Sequence, residues 1–372
     1  MTTAPAVHPG RDGWAVGAGG PRPRGGTMWI YPDRLRQNAT ALRRAYGPWT
    51  IAVIKGDGYG LGVATCATAL ASAGVRAMAV GSIVEAFQVR AAGVNVRLIV
   101  LDSAGIGTSE LNVEWLVGQI EIGRLLAHRH TRTLARIHIE IDFGVGRGGV
   151  PADQTDETLS ALLRHPMIRV VGLAGHLPAN PSEAAVREAL TTLGRLRRRC
   201  PGAIAHLGGS DVLRWHRPTP AAWVRIGRPL YGIMPRSLRA GDGDGVIPAW
   251  AWLAGATAYQ STPSVGYQGA SPPEGTPVRL DVGYADGLPP QGAQHWPVLI
   301  DGHPYVIHQV FMLSSIAYPT AHELPPGVSA TALLSGRCDR YCLPARQISE
   351  SLGIATTAVL MYPRSPREVA TT

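Results

Sequence analysis

Lys55 is the only lysine in the 372-residue chain, so thirty-four of its thirty-five Lys and Arg residues are arginine. A guanidinium stays charged and is no nucleophile near neutral pH. A lysine amine can shift its pKa and form a Schiff base. A plain preference for Arg codons would leave one lysine by accident, whereas a need for an amine would keep it by function. The neighbourhood favours function. Lys55 follows the apolar run that ends at Ile54 and precedes Gly56-Asp-Gly-Tyr59-Gly60. Glycines at such a place let the backbone approach a bound group closely.

The elements that would position this amine are short. Runs at 50–54, 77–80, 97–101, 119–122, 136–141, 169–174, 203–207 and 223–226 read as strands. Helix-like stretches at 63–73, 82–92, 155–164 and 181–199 lie between them. Eight strands alternating with helices are the pattern of an α/β (β/α)8 TIM-like barrel, and the same periodicity also fits an open doubly wound sheet. In a barrel, Lys55 would stand at the C-terminal, catalytic rim. After the Gly241-Asp-Gly-Asp-Gly245 linker signal the texture changes. Strand-like runs at 249–260, 277–282, 298–300, 305–311 and 331–334 follow, with only 345–352 helix-like. The expected organisation is a disordered tail at 1–26, a barrel at 27–240 and a mainly β C-terminal domain at 246–365.

Composition narrows the function classes. The net charge is +9, but the arginines are scattered. Their densest cluster, Arg195 with Arg197, Arg198 and Arg199, ends a helix-like segment and reads as a solvated face. No nucleic-acid partner is therefore expected, although the excess charge would help draw in anionic small molecules. Apolar runs such as 98–101 are far too short to cross a bilayer, so no membrane partner is expected. Residues 1–26 are rich in Gly, Pro and Arg without the apolar region of a signal peptide, which makes the cytoplasm the expected address. Cys66, Cys200, Cys338 and Cys342 read as reduced thiols. Only the last two are close, too few ligands for a structural metal, so none is expected.

The segment Val53-Ile-Lys55-Gly-Asp-Gly-Tyr59-Gly60 resembles the pyridoxal-phosphate lysine motif of the alanine racemases, and ordered matches continue through almost the whole chain after the tail. The resemblance implies a barrel followed by a β domain, and pyridoxal 5'-phosphate bound through Lys55. In that family the ring acts as an electron sink, and the lysine serves as base on one face of the substrate Cα. Tyr59 would contact the phosphate. Arg147, in Asp142-Phe-Gly144-Val-Gly146-Arg147-Gly148, would meet the cofactor phenolate and the substrate carboxylate. His176 matches the histidine packed by the pyridine ring. Ser210, in Ala205-His-Leu-Gly-Gly209-Ser210, would bond phosphate, as would the backbone near Gly227 and Arg228. Arg225, in Trp223-Val-Arg225-Ile-Gly227-Arg228, would hydrogen-bond the pyridine nitrogen and limit the electron sink. Tyr267, in Ser264-Val-Gly-Tyr267, would be the second base, on the opposite face of Cα. Val282-Gly-Tyr284-Ala-Asp286-Gly287 resembles the segment lining the active-site entrance, and Met312 the residue whose backbone N–H meets the substrate carboxylate. In the family these groups reach the site from the partner subunit, which implies a head-to-tail homodimer with shared sites.

Several positions depart from the family pattern. Glu140 stands where the family often carries a carbamylated lysine, seven residues before the arginine, and supplies a built-in carboxylate. Gly209 replaces an asparagine, Leu313 replaces the aspartate of Cys-Met-Asp, and Thr357 falls at a phosphate-binding tyrosine. Pro289-Pro290 replaces Pro-Arg. The expected function is an amino-acid racemase with Lys55 and Tyr267 as its two bases, acting on an amino acid other than alanine. Two alternatives stay open: a different pyridoxal-phosphate reaction, decarboxylation or retro-aldol cleavage, and a non-catalytic cofactor-binding homologue.

Overall fold

Short runs of apolar residues cannot choose between an open sheet and a closed one; hydrogen bonding between the first and last strands does. In the computed structural model, which describes residues 26–103, 106, 111–127, 134–235, 238, 245–266, 270–289, 295–338, 341–343, 348 and 367–369, that bonding is made. The parallel strands are Thr50–Val53, Ala77–Val80, Arg97–Val100, Glu114–Val117, Ala135–Asp142, Ile168–His176, Ile204–Gly208 and Ala222–Ile226. Each pairs with the next, and the last returns to the first through Val224 opposite Thr50. The sheet is a closed eight-stranded parallel barrel. Its strands read as nearly continuous apolar runs because both faces are covered.

Between the strands lie Val63–Ser72, Ile83–Ala91, Gln119–Ala127, Thr155–Leu163 and Glu183–Arg197. Ser82 and Ser182 cap two of these helices by accepting from Glu85 N–H and Ala185 N–H. Glu183–Arg197 buries Val186, Ala189, Leu193 and Leu196, a stripe of helical period, and leaves its arginines outward.

Inside the ring, Ile51, Val53, Ala77, Ala79, Ile99, Leu116, Ala174 and Ile204 form one core cluster. Successive strand side chains alternate between faces, so residues two positions away share the lumen. By that rule Lys55, Glu114, Gly172 and His206 face inward with it.

The run at 119–122 is not a strand. It begins the helix Gln119–Ala127, and the fourth barrel strand is Glu114–Val117. Gln119-Ile-Glu-Ile122 alternates like a strand, but its buried positions, Ile122 and Leu125, have helical spacing. The true strand was masked by Glu114, a carboxylate that is only 3% exposed.

The chain divides into two compact units, Leu35–Val246 and the remainder, which joins the N-terminal strand to the chain from Ile247 onward. Residues 27–34, expected in the barrel, therefore belong to the second unit. Thr27–Ile30 pairs antiparallel with Trp250–Ala258, with Thr27 opposite Leu253, and parallel with Arg367–Val369. The rest of this sheet comprises Val278–Leu280, Pro297–Ile300, His303–Val310, Ser315–Pro319, Ser329–Cys338 and Tyr341–Leu343. Its core is aromatic. Trp252 meets Trp296 edge-on at 5.9 Å between centroids, and the indole N–H groups of Trp250 and Trp296 donate to Ser335 Oγ and the Leu334 carbonyl. The helix expected at 345–352 lies outside the described residues except for Ile348, as does the tail except for Gly26. Among the described residues no helix is long and apolar enough to cross a membrane, and no group of three or more His, Cys, Asp or Glu could hold a metal.

Candidate active site

Lys55 leaves the first barrel strand and enters a turn of the wrong hand. Gly56, Asp57, Gly58, Tyr59 and Gly60 all have positive φ, between 52° and 87°. Such a turn costs L-residues about 1–2 kcal/mol each, and three of the five positions here are glycine. Specific bonds hold Asp57. Glu85 accepts from Asp57 N–H at 2.7 Å and from Gly81 N–H at 2.6 Å. Asp57 Oδ1 accepts from Val63 N–H at 2.9 Å. The carboxylate of Glu85 thus fastens the turn to the end of the second strand, where Gly81 lies against the Lys55 stem. A Cβ at Gly81 would come within 3.3 Å of Lys55 Cβ.

Around the amine the rim is cationic. The pKa of Lys55 lies below the ordinary lysine value because surrounding protein withholds solvent and because Arg147 and Arg225 repel a further charge, outweighing Glu140 and Glu85. His176 is held down to about 4 by burial first, then by Arg225, Arg147 and Lys55. It is therefore a neutral imidazole at neutral pH. Glu140 Oε1 accepts from Arg147 Nη2 at 2.8 Å, so the carboxylate expected to orient that arginine does so directly. The loop carrying Arg147 is shaped by Asp142, which accepts from the N–H groups of Gly144, Val145 and Gly146.

The opposite part of the rim is built for close approach. A Cβ on Gly227 would overlap the Tyr59 hydroxyl, and the Tyr59 ring lies 4.7 Å from that of Tyr231. Arg228 pairs with Asp211 at 2.9 Å, and the buried Ser210 opens the short helix Ser210–Arg214. A Cβ on Gly208 would overlap both Arg225 and His176. Lys55, Arg147, His176 and Arg225 are thus brought to one end of the barrel, with Tyr59, Ser210, Gly227 and Arg228 beside them.

Arg225 has partners the sequence did not suggest. It is buried, donates through Nη2 to the Gly175 carbonyl at 3.1 Å, and donates through Nη1 to His206 Nδ1. His206 Nε2 lies 2.8 Å from His138 Nδ1, and His138 Nε2 lies 2.8 Å from Glu114 Oε2. Arg97 and Arg136 close the far end on Glu114. Burial holds both histidines below their ordinary pKa. Burial opposes ionisation of Glu114, but the His138 and arginine contacts prevail and bring it down to about 2. The available signal was strand alternation: His138, His206 and Glu114 are polar residues at inward positions of apolar strands.

In the second unit, Tyr284 N–H donates to the Phe311 carbonyl and Ala285 N–H to the Met312 carbonyl, both at 3.0 Å. A Cβ on Gly283 would overlap those carbonyls, so the glycine permits the approach. Tyr284 and Met312 therefore lie on adjoining segments. Met312 and Leu313 are exposed. Tyr267, Pro290 and Thr357 lie outside the described residues.

A family model described as "Alanine racemase, N-terminal domain" matches residues 30–235. An alanine racemase of Acidithiobacillus ferrooxidans is 31% identical over 289 residues, which cover 72% of this chain and 78% of that protein. The chain belongs to the alanine racemase family. Family likeness extends to solved structures. The alanine racemase from Streptomyces coelicolor A3(2) superposes with a TM-score of 0.78 at 25% identity, covering 94% of this chain and 98% of that one. The alanine racemase from D-cycloserine producing Streptomyces lavendulae gives 0.80 at 23% identity, covering 95% and 98%, and speaks for the fold alone. At these identities the chain is a divergent family member.

Acid should weaken this barrel. Between the ordinary histidine value of 6.5 and about 4, unfolded chains take up a proton that folded His176 refuses. Between 4.5 and about 2 the same holds for Glu114. Stability rises with pH wherever the unfolded state binds more protons, so both contributions are lost on acidification. Thermal unfolding should show a lower Tm at pH 4 than at pH 7; equal values would contradict the buried, neutral state of His176.

Proposed function

We propose that the protein is a pyridoxal-phosphate-dependent amino-acid racemase with Lys55 and Tyr267 as its two bases. One observation carries the reading: the only lysine amine of the chain stands at the barrel rim with its pKa lowered, beside Arg147 and Arg225. The donor set suits the cofactor. Lys55 offers an amine to its aldehyde, Arg225 a cationic donor to its pyridine nitrogen, and Tyr59, Ser210, Gly227 and Arg228 a cradle for its phosphate, to which Thr357 adds a hydroxyl. When bound, pyridoxal phosphate supplies the electron sink that makes the substrate Cα proton removable.

The chain's own residues do the rest. Lys55 Nζ takes or returns the proton on one face, and the Tyr267 hydroxyl does so on the other. Inversion needs both. Arg147, steadied by Glu140, faces the substrate carboxylate together with the Met312 N–H, while Tyr284 lines the approach. His176 stays neutral beside the ring, where a charged imidazole would compete with Arg225. The second unit supplies Tyr267, Tyr284 and Met312 to the site of a partner subunit in a homodimer. The substrate has a side chain larger than methyl. At Gly209 a Cβ would meet only His176 Nε2, at 3.9 Å, and Leu313 adds apolar surface where the family has a carboxylate.

One enantiomer, incubated in deuterated water with the enzyme, should acquire deuterium at Cα and invert, over a panel of amino acids read by chiral analysis. Exchange with strict retention would exclude the two-base mechanism. Leu313 and Gly209 favour a second reading, decarboxylation or retro-aldol cleavage, and product mass separates it because racemisation preserves mass.

A further inference from the structure

We infer that Glu114 is a positioning residue that fixes the polarity of a buried hydrogen-bond relay, Glu114–His138–His206–Arg225, running through the barrel lumen. The argument needs only donors and acceptors. A guanidinium has donors alone, so His206 Nδ1 must accept from Arg225. A neutral imidazole that accepts at Nδ1 carries its proton at Nε2. That proton points at His138 Nδ1, 2.8 Å away, which must therefore also accept. His138 then carries its own proton at Nε2 and donates it to Glu114 Oε2 at 2.8 Å. Glu114 ends the series as an acceptor, receiving Arg97 and Arg136 as well. With Glu114 ionised every bond has one assignment, and both imidazoles are neutral.

The lumen is shaped to admit this relay. Glu114, His138, His206 and Arg225 come from the fourth, fifth, seventh and eighth strands and are at most 5% exposed. On the sixth strand, between His138 and His206, the residue is Gly172, whose Cβ would overlap the His138 ring. With all four groups buried, each bond constrains the next. The outcome is an Arg225 with Nη1 tied to His206 and Nη2 to the Gly175 carbonyl, held as a fixed cation. That this cation serves the pyridine nitrogen rests on the racemase reading; the polarity of the relay does not.

Glu114→Gln separates charge from shape. An amide has one acceptor oxygen, and Arg97 and Arg136 claim it. Its NH2 then faces His138 Nε2, and both histidine protons must move to Nδ1. The last one meets Arg225 donor against donor.

The test is nitrogen NMR on protein labelled with 15N-histidine, before and after loading with pyridoxal phosphate. Signals are assigned by their loss in His138→Gln and His206→Gln. In the wild-type chain both rings should be neutral with the proton on Nε2 from pH 6 to 8. A proton on Nδ1 of either ring, or an imidazolium, overturns the proposal without any Glu114 variant. In Glu114→Gln the His206 nitrogens should change places as acceptor and donor, and kcat should fall about 10- to 100-fold with KM little altered. Unchanged His206 signals in that variant overturn it too. Failure of the loaded protein to develop a lysine-linked chromophore would instead count against the cofactor reading and leave the relay result standing.

Discussion

Lys55→Arg should abolish covalent attachment of pyridoxal phosphate and lower racemisation by about 10^4-fold. The substitution keeps a positive charge on a long stem but removes the only side-chain amine that can attack an aldehyde. No other lysine can take over. In the parent protein, borohydride reduction of the loaded enzyme should leave the cofactor on a single peptide containing residue 55; in the variant it should leave none. The fold should be retained, because the substitution keeps a long cationic side chain at the barrel rim. Labelling of Lys55→Arg, or racemisation that survives it, would remove the basis of the proposed function.

Gly172→Ala should destabilise the barrel by about 3 kcal/mol or more. Its new methyl would overlap the imidazole of His138, and that ring cannot swing aside. It is fully buried and tied on one nitrogen to His206 and on the other to Glu114. The chain must either strain the sixth strand or break the relay and leave polar groups unpaired in the lumen. Gly123→Ala is the control. Gly123 lies within the helix Gln119–Ala127, where a Cβ meets nothing within 4 Å, so alanine should stabilise by about 0.5–1 kcal/mol. Denaturant unfolding of the two variants should move the midpoint in opposite directions. A loss below about 1 kcal/mol at Gly172 would mean that the lumen yields more readily than its packing suggests.

The rim of the barrel was the most legible part of this sequence. Lys55 follows a short apolar run, and Arg147, His176 and Arg225 were legible through ordered resemblance to the family's motifs, which survives any error of a residue or two at the strand ends. Closure of the sheet was not legible, because it depends on Val224 finding Thr50 across the whole barrel. Nor was the fourth strand, since an inward glutamate looks like a surface residue until Arg97, Arg136 and His138 surround it. The relay was hidden for the same reason. Each histidine alone reads as one polar residue in an apolar strand, and only the ring of strands brings them to 2.8 Å. The strand Ser315–Pro319, short and ending in proline, carried too weak a pattern to be noticed.

The pairing of Thr27–Ile30 with Trp250–Ala258 has a bearing on the order of assembly. During synthesis this strand leaves the ribosome before any barrel strand, while its antiparallel partner is made only after the barrel's last strand, Ala222–Ile226, is complete. The barrel therefore has all its pieces while Thr-Met-Trp-Ile still has unmatched amide and carbonyl groups along both edges, a state prone to pairing with other chains. Closing so long a loop costs entropy that only the finished sheet offsets. A nascent chain halted just past the barrel should thus be the species most in need of a chaperone.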